Sequence, residues 1–416
     1  MTTQHVALTR DRNFMKLWAA QAVSSFGARI TREGLPMTAI LTLGATPATL
    51  GVLAALSYGP AVLVGLAGGG FVDRRRRRPI LIAADLARAA VLITLPIAAW
   101  FHLLALWQIF AAALLVGAAS VLFDMADHAY LPGLIGPERL VDGNSKLSAT
   151  ESVAEMGGPA LAGLLFQVFT APVAIAVNAV TYLVSAFSLS TIKALEPTPE
   201  PTPPQPLIHD ITQGFRIAWA EPRVRPLLLM ATSNGLFGGG FAALYLVFAL
   251  RTLGLSPAML GITVACGGIG ALLGAGLAAP VARRLGAGPA ILAMGFAMPA
   301  AALLIPLSPA TPLLGMAVLM VSQLLGDSTG TLYNILASSL RQTVLPQETL
   351  GRVAGAFQAA AGGTLLLGAL AGGALGGLMG IRETLFIAAA GLALGPLIAL
   401  TSPALRGVKQ IEVEAG

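Results

Sequence analysis

Gly69–Leu81 reads GGFVDRRRRRPIL, and the fold class turns on how this stretch is read. It stands between two long apolar runs. It opens on small residues, places an acid at Asp73 and then runs five arginines, Arg74 to Arg78. An arginine at the centre of a membrane helix costs about 3 kcal/mol, so a run of them must be a loop in water. The positive-inside tendency places that loop in the cytoplasm and thereby orients every apolar run before and after it.

The rest of the chain agrees with a membrane setting. It has 416 residues, 56% hydrophobic and 11% charged, with a mean hydropathy of +0.80. A soluble domain is about a quarter charged. Its 48 glycines suit close helix packing in lipid, where small residues let backbones approach. The net charge of +6 does not indicate nucleic acid, because the bases fall in loops between apolar spans, where they set topology and meet lipid headgroups. Cys266 is the single cysteine and lies in an apolar run, so neither an intramolecular disulfide nor a metal site is expected. The polar residues 1–13 lead into a run too long for a cleavable leader.

A helix needs roughly 20 apolar residues to cross the bilayer core. Runs of that size recur twelve times between residues 14 and 402. With a cytoplasmic N-terminus, only Arg251 and Arg382 fall outside. Arg29, Arg32 and Arg88 fall within spans, and every other Lys and Arg is cytoplasmic. An eleven-span or inverted scheme would scramble that bias.

The proline-dense stretch EPTPEPTPPQP at 196–206 divides the chain. Beyond it, Ile208, Ile211, Phe215 and Trp219 recur at helical spacing. They predict an amphipathic helix lying along the membrane surface or, equally, a short helix packed beneath the bundle. Residues 1–192 are therefore expected to form one six-helix bundle. Residues 193–222 form a linker with the amphipathic helix, and 223–416 a second bundle. The halves look like copies offset by roughly 210 residues. FDMADHAYLPGLI from Phe123 answers YNILASSLRQTVL from Tyr333, and GPALAG at 158–163 answers GALAGG at 368–373. Parallel repeats of this kind belong to transporters that bind substrate near the midplane.

On these residues the chain resembles the major facilitator superfamily over essentially its whole length. The loop between the second and third helices of that family reads G-x-x-x-D-R-x-G-R-R. Gly69, Asp73, Arg74, Arg77 and Arg78 match it, and Arg76 replaces the second glycine. The resemblance implies an all-α membrane protein with twelve transmembrane helices in two pseudo-symmetric six-helix bundles, both termini cytoplasmic. It also implies a conformational gating role for Asp73, Arg74 and Arg77. An acid at a helix N-terminus and bases at helix C-termini are the matching physical reading. Gly158, Pro159 and Gly163 resemble the G-P-x-x-G-G motif of drug:proton antiporters, with Ala162 in place of one glycine. Plain close packing is the alternative reading of that motif. RNFMKLW at 12–18, EPRVRPLLL at 221–229 and SLRQTVLPQETLGRV at 339–353 are similar to the branch of macrolide and siderophore (enterobactin) exporters.

Charges inside spans are candidates for proton coupling or substrate binding. In the first span, Arg29 and Glu33 stand at i, i+4 and could pair on one face, with Arg32 beside them, so that Arg29 or Arg32 is the partner of Glu33. In the fifth, Glu151 and Glu155 share a face, Glu155 the deeper. In the fourth, Asp124 and His128 share a face next to Asp127, toward the cytoplasmic end, and lining the cytoplasmic mouth is the alternative role for them. Asp327 is the one acid deep in the second half. A static salt bridge is the alternative role for Arg29 and Glu33. The arginine that many drug exporters of the superfamily carry in the fourth helix is absent from 104–131. Asn178, Asn234, Gln323 and Asn334 are further polar candidates. Trp18, Phe26, Tyr58, Phe237, Phe241 and Tyr245 are the aromatic ones.

The function expected is secondary active export of amphipathic small molecules, such as drugs, by alternating access with proton antiport. The protein would be a multi-pass monomer of the bacterial inner membrane, with no cofactor, metal or nucleic-acid partner. A siderophore exporter or a lysolipid flippase is the alternative on the same fold. A solute sensor or membrane enzyme is the alternative from another class. None of the four histidines opens an H-x-x-x-x-D pattern, and no G-x-x-x-x-G-K-[ST] loop is present for ATP.

Overall fold

The structure is a computed structural model that describes residues 8–67, 71–72, 74–169, 171–194, 196 and 207–409. Among them all regular structure is helical, joined by short loops, and no strand is formed. Helix α1 (Arg12–Leu41) begins where the Asp11 carboxylate accepts the backbone N–H groups of Asn13 and Phe14, at 3.0 and 3.2 Å. It is followed by α2 (Pro47–Ala67), α3 (Arg77–Trp100), α4 (Leu106–Ile135), α5 (Leu140–Val168) and α6 (Ala171–Ser190). After the proline-rich stretch come α7 (Leu207–Ala220), α8 (Arg225–Val247), α9 (Pro257–Leu285), α10 (Ala287–Leu307), α11 (Pro312–Val344) and α12 (Leu350–Leu378). The last apolar run is broken into α13 (Ile381–Leu392) and α14 (Leu394–Leu400), because Pro396 has no N–H to continue the ladder. A short α15 (Pro403–Arg406) follows.

Ten of the described helical segments are long and apolar enough to cross a membrane. Helices α1 and α5 have the length, at 30 and 29 residues, but carry more charge. With them, the described helices are consistent in number with the twelve spans expected from the sequence.

The chain forms two compact units, Met1–Gly44 with Leu63–Gln205, and Ala45–Val62 with Pro206–Gly416. In the first, α1 packs on α5 and α6, and α3 packs on α4 and α6. One end of this unit is closed by an apolar cluster that includes Phe14, Leu17, Leu81, Phe123, Tyr130 and Leu189. Charges tie the same end down. Lys16 Nζ donates to the Thr191 carbonyl at 2.6 Å, and Ser188 Oγ donates to the Lys16 carbonyl at 2.8 Å.

In the second unit, α8 and α12 lie backbone to backbone. A side chain at Gly235 or Gly239 would strike the carbonyls of Ala361 or Leu365, and one at Gly368 would strike that of Leu236. Lipid offers no hydrophobic drive to join helices, so such contact is what holds them. Helices α9 and α11 approach in the same way at Gly270 and Gly274. Helix α7 packs on α12, with Gly214 against the Arg352 carbonyl and Asp210 accepting from Arg352 Nε at 3.1 Å. Its Ala218 is fully buried and Trp219 is half exposed, as for a helix packed on the bundle.

Candidate functional site

The first unit contains a polar cavity of about 390 Å³. Helix α1 supplies Gln21, Arg29 and Arg32, and α3 supplies Arg88. Helix α4 supplies Ser120, Phe123, Asp124, Asp127 and His128, and α5 supplies Asn144, Ser148, Thr150 and Glu151. The i, i+4 spacings seen in the sequence put these groups on shared faces, and the packing of α1 against α5 turns two of the faces toward each other.

Each arginine of the cavity is paired. Arg29 forms an ion pair with Glu155. Arg32 donates from one terminal nitrogen to Glu155 at 3.2 Å and from Nε to Glu33 at 3.4 Å. Of the two partners the sequence allows Glu33, Arg32 is therefore the one that meets it, and Arg29 pairs with Glu155 on the neighbouring helix. The reason is Gly158. A Cβ there would lie 2.6 Å from the Arg29 side chain, so only a glycine lets α5 come this close and bring Glu155 within reach. Glu33 is nearly buried, at 7% exposure. Pro159 and Gly163 are buried in the same helix.

Arg88 pairs with Asp85, one turn earlier on α3. Both are almost wholly buried, at 2% and 0% exposure. The Arg88 guanidinium lies between two rings, 4.3 Å from the centroid of Tyr182 and 4.4 Å from that of Phe123, and donates to Ser120 at 3.4 Å. A buried pair of this kind holds only with close geometry and further contacts, which the two rings provide. The sequence reading placed Arg88 within a span but gave the pair no role. Its one signal was the i, i+3 spacing in DLAR, Asp85 to Arg88.

The acids differ from the arginines. Asp127 accepts a hydrogen bond from the Gln21 amide. Asp124 and Glu151 face the cavity, and among the described residues neither makes a side-chain hydrogen bond or ion pair. Around the cavity, Trp18 Nε1 donates to Thr150 at 2.7 Å, and the Asn178 amide donates to Thr31, tying α6 to α1. Asp327 belongs to the second unit, where it lies against Gly267 of α9.

Of the loop residues, Gly69 and Asp73 lie outside the described residues. Arg74 is exposed. Arg78 donates from Nε to the Leu189 carbonyl at 2.9 Å and from a terminal nitrogen to Ser190, capping the C-terminus of α6. The N-terminus of α3 has its own acid. The Glu196 carboxylate accepts the backbone N–H groups of Arg77 and Arg78, at 2.5 and 3.1 Å, and lies 3.8 Å from the Arg77 guanidinium. In the sequence, Glu196 is marked only as the first residue of the proline-dense stretch.

A family described as transmembrane secretion effector matches residues 3–415. The chain is 24% identical over 228 residues to macrolide efflux protein A of Streptococcus pyogenes, a match covering 53% of this chain and 54% of that protein. It thus spans about half the length of that relative. Against the multidrug efflux pump Tap of Mycobacterium tuberculosis the identity is 27% over 371 residues, 85% of each chain. Among solved structures, the nucleoside transporter NupG superposes with a TM-score of 0.77 at 13% identity, over 94% of this chain and 98% of that one. A bacterial homologue of the iron transporter ferroportin gives 0.72 at 14%, over 94% and 98%. At these identities the likeness is one of fold.

Proposed function

The chain belongs to the transmembrane secretion effector family of the major facilitator superfamily, and from that premise we propose that it exports amphipathic small molecules by alternating access, driven by proton antiport. It is a membrane transporter, multi-pass in the bacterial inner membrane. The observation that carries the finer reading is the state of the cavity charges. All three arginines are held by acids, whereas among the described residues Asp124 and Glu151 face the space without a hydrogen-bond or ion-pair partner. A carboxylate in that position either carries a proton or meets the cationic or donor group of a substrate. It does not do both, and that exclusion couples the two movements. Proton exchange is therefore assigned to Asp124 and Glu151. Glu155 and Glu33 position Arg29 and Arg32. Asp327 is assigned to the gating of the second unit. Relatives named for macrolide and multidrug efflux support the outward direction.

The test uses everted vesicles with a respiration-driven acid interior and a pH-sensitive dye. Addition of a macrolide, or of other amphipathic amines, is expected to discharge the gradient in vesicles carrying the protein and not in empty-vector vesicles. Asp124→Asn combined with Glu151→Gln is expected to abolish the response while the protein remains inserted. An undiminished response in the double variant sinks the assignment of the proton to these acids. A response confined to one siderophore or to lysolipid would replace the broad substrate range with the narrower alternative.

A further inference from the structure

The first unit carries a second hollow, of about 460 Å³, which shares no lining residue with the polar cavity. Ala83 and Ala87 of α3 and Ala119 and Leu122 of α4 line its length, and Arg75 and Arg76 stand at one end. Those arginines immediately precede the first turn of α3. Ala87 lies ten residues beyond Arg77, about 15 Å along the helix. The hollow therefore runs from the water end of a membrane-spanning helix into its apolar length, and small side chains keep it open.

The five arginines divide by what they meet. Arg77 and Arg78 are consumed inside the unit, by Glu196 and by the end of α6. Arg75 and Arg76 are exposed, and among the described residues neither meets a carboxylate. The Arg75 guanidinium lies over the Phe71 ring, 4.3 Å from its centroid, which holds it at the mouth. Paired guanidinium groups match a phosphate in charge and shape. An apolar slot beneath them matches a hydrocarbon chain. Arg76, which replaces the glycine expected in the loop signature, supplies half of this cation pair.

We propose that this groove binds one anionic phospholipid of the surrounding leaflet, its phosphate between Arg75 and Arg76 and one acyl chain along Ala83, Ala87, Ala119 and Leu122. A zwitterionic headgroup would set an ammonium beside the two cations, and free phosphate would leave the slot unused. The assignment is independent of the transport reading, since none of these residues faces the polar cavity.

Native mass spectrometry of the full chain released from micelles measures the first lipid bound. Phosphatidylglycerol, phosphatidylcholine and glycerol phosphate are the probes. Wild-type protein is expected to prefer phosphatidylglycerol and to ignore glycerol phosphate. Arg75→Gln with Arg76→Gln is expected to weaken phosphatidylglycerol roughly thirtyfold, at about a factor of five per arginine, and to leave phosphatidylcholine unchanged. Arg74, Arg77 and Arg78 remain in that variant, so the loop keeps its topological signal. Ala87→Trp, or Ala83→Phe if that variant does not fold, is expected to weaken both lipids by filling the slot. Arg12→Gln is the control for general surface charge and is expected to change nothing. The proposal is overturned if Arg12→Gln costs as much as the double variant. It is equally overturned if the slot-filling variants bind as wild type, or if glycerol phosphate binds as well as the lipid.

Discussion

Arg29 of α1 and Glu155 of α5 form an ion pair across the line where Gly158 leaves the two helices in contact. If that pair positions the cavity wall, its members must be energetically coupled. Arg29→Gln and Glu155→Gln are each expected to lower the Tm of the purified protein, and the double variant to be no worse than either. The Glu155 side chain is 43% exposed, so solvent screening holds the coupling to about 1 kcal/mol. Strictly additive losses in a double-mutant cycle would show that the pair is not a unit.

Gly158 is expected to tolerate no branched side chain. Gly158→Val forces the Arg29 stem aside and separates α1 from α5, at a cost of about 1–3 kcal/mol or more. Its folded yield and Tm should fall well below those of Gly276→Ala, a glycine with nothing within 4 Å of its added methyl. Equal behaviour of the two variants would remove Gly158 from the packing.

The Asp85–Arg88 pair predicts a sign that few other sites share. Asp85→Asn strands a buried cation and Arg88→Met strands a buried acid, each costing about 3–5 kcal/mol. The double variant Asp85→Leu with Arg88→Met removes both charges and is expected to be more stable than either single variant. Thermal unfolding in detergent measures all three. A double variant less stable than both singles would mean that the pair contributes through more than its own neutrality.

Glu196 is expected to act as the cap of a helix to which it does not belong. Glu196→Ala leaves the first N–H groups of α3 without their carboxylate and is expected to cost about 1 kcal/mol. Hydrogen exchange at Arg77 and Arg78 should accelerate, while exchange at Ala89 and beyond stays slow. Unchanged exchange at the α3 N-terminus would rule the cap out.

Much of this was legible in the sequence, and the limits are physical. The all-helical class, the long apolar spans and the basic loop follow from local composition, which the bilayer reads directly. Arg29, Arg32, Asp124, Glu151 and Glu155 were candidates because hydrocarbon makes any charge conspicuous, and the structure gathers them in or beside one cavity. Partners were not legible. The spacing of Arg29 and Glu33 allowed one pair, and the approach of α5 at Gly158 selected another. Asp85 and Arg88 are ordinary at i, i+3 until Phe123 and Tyr182, from two other helices, close over them. Glu196 was hidden because its role depends on the chain folding back to the start of α3, which no local pattern records.

The placement of Arg88 has a consequence for selectivity. Phe123 and Tyr182 together offer two ring faces to one cation, the kind of receptor that would hold a quaternary or tertiary amine. The chain has filled that receptor with its own side chain. On the transport reading proposed above, an amine entering from the cavity would meet a receptor already satisfied and would be recognised by acids instead. Discrimination among amines should then follow charge and reach rather than ring-stacking surface. Enlarging the rings would disturb the protein before it changed which compounds are chosen.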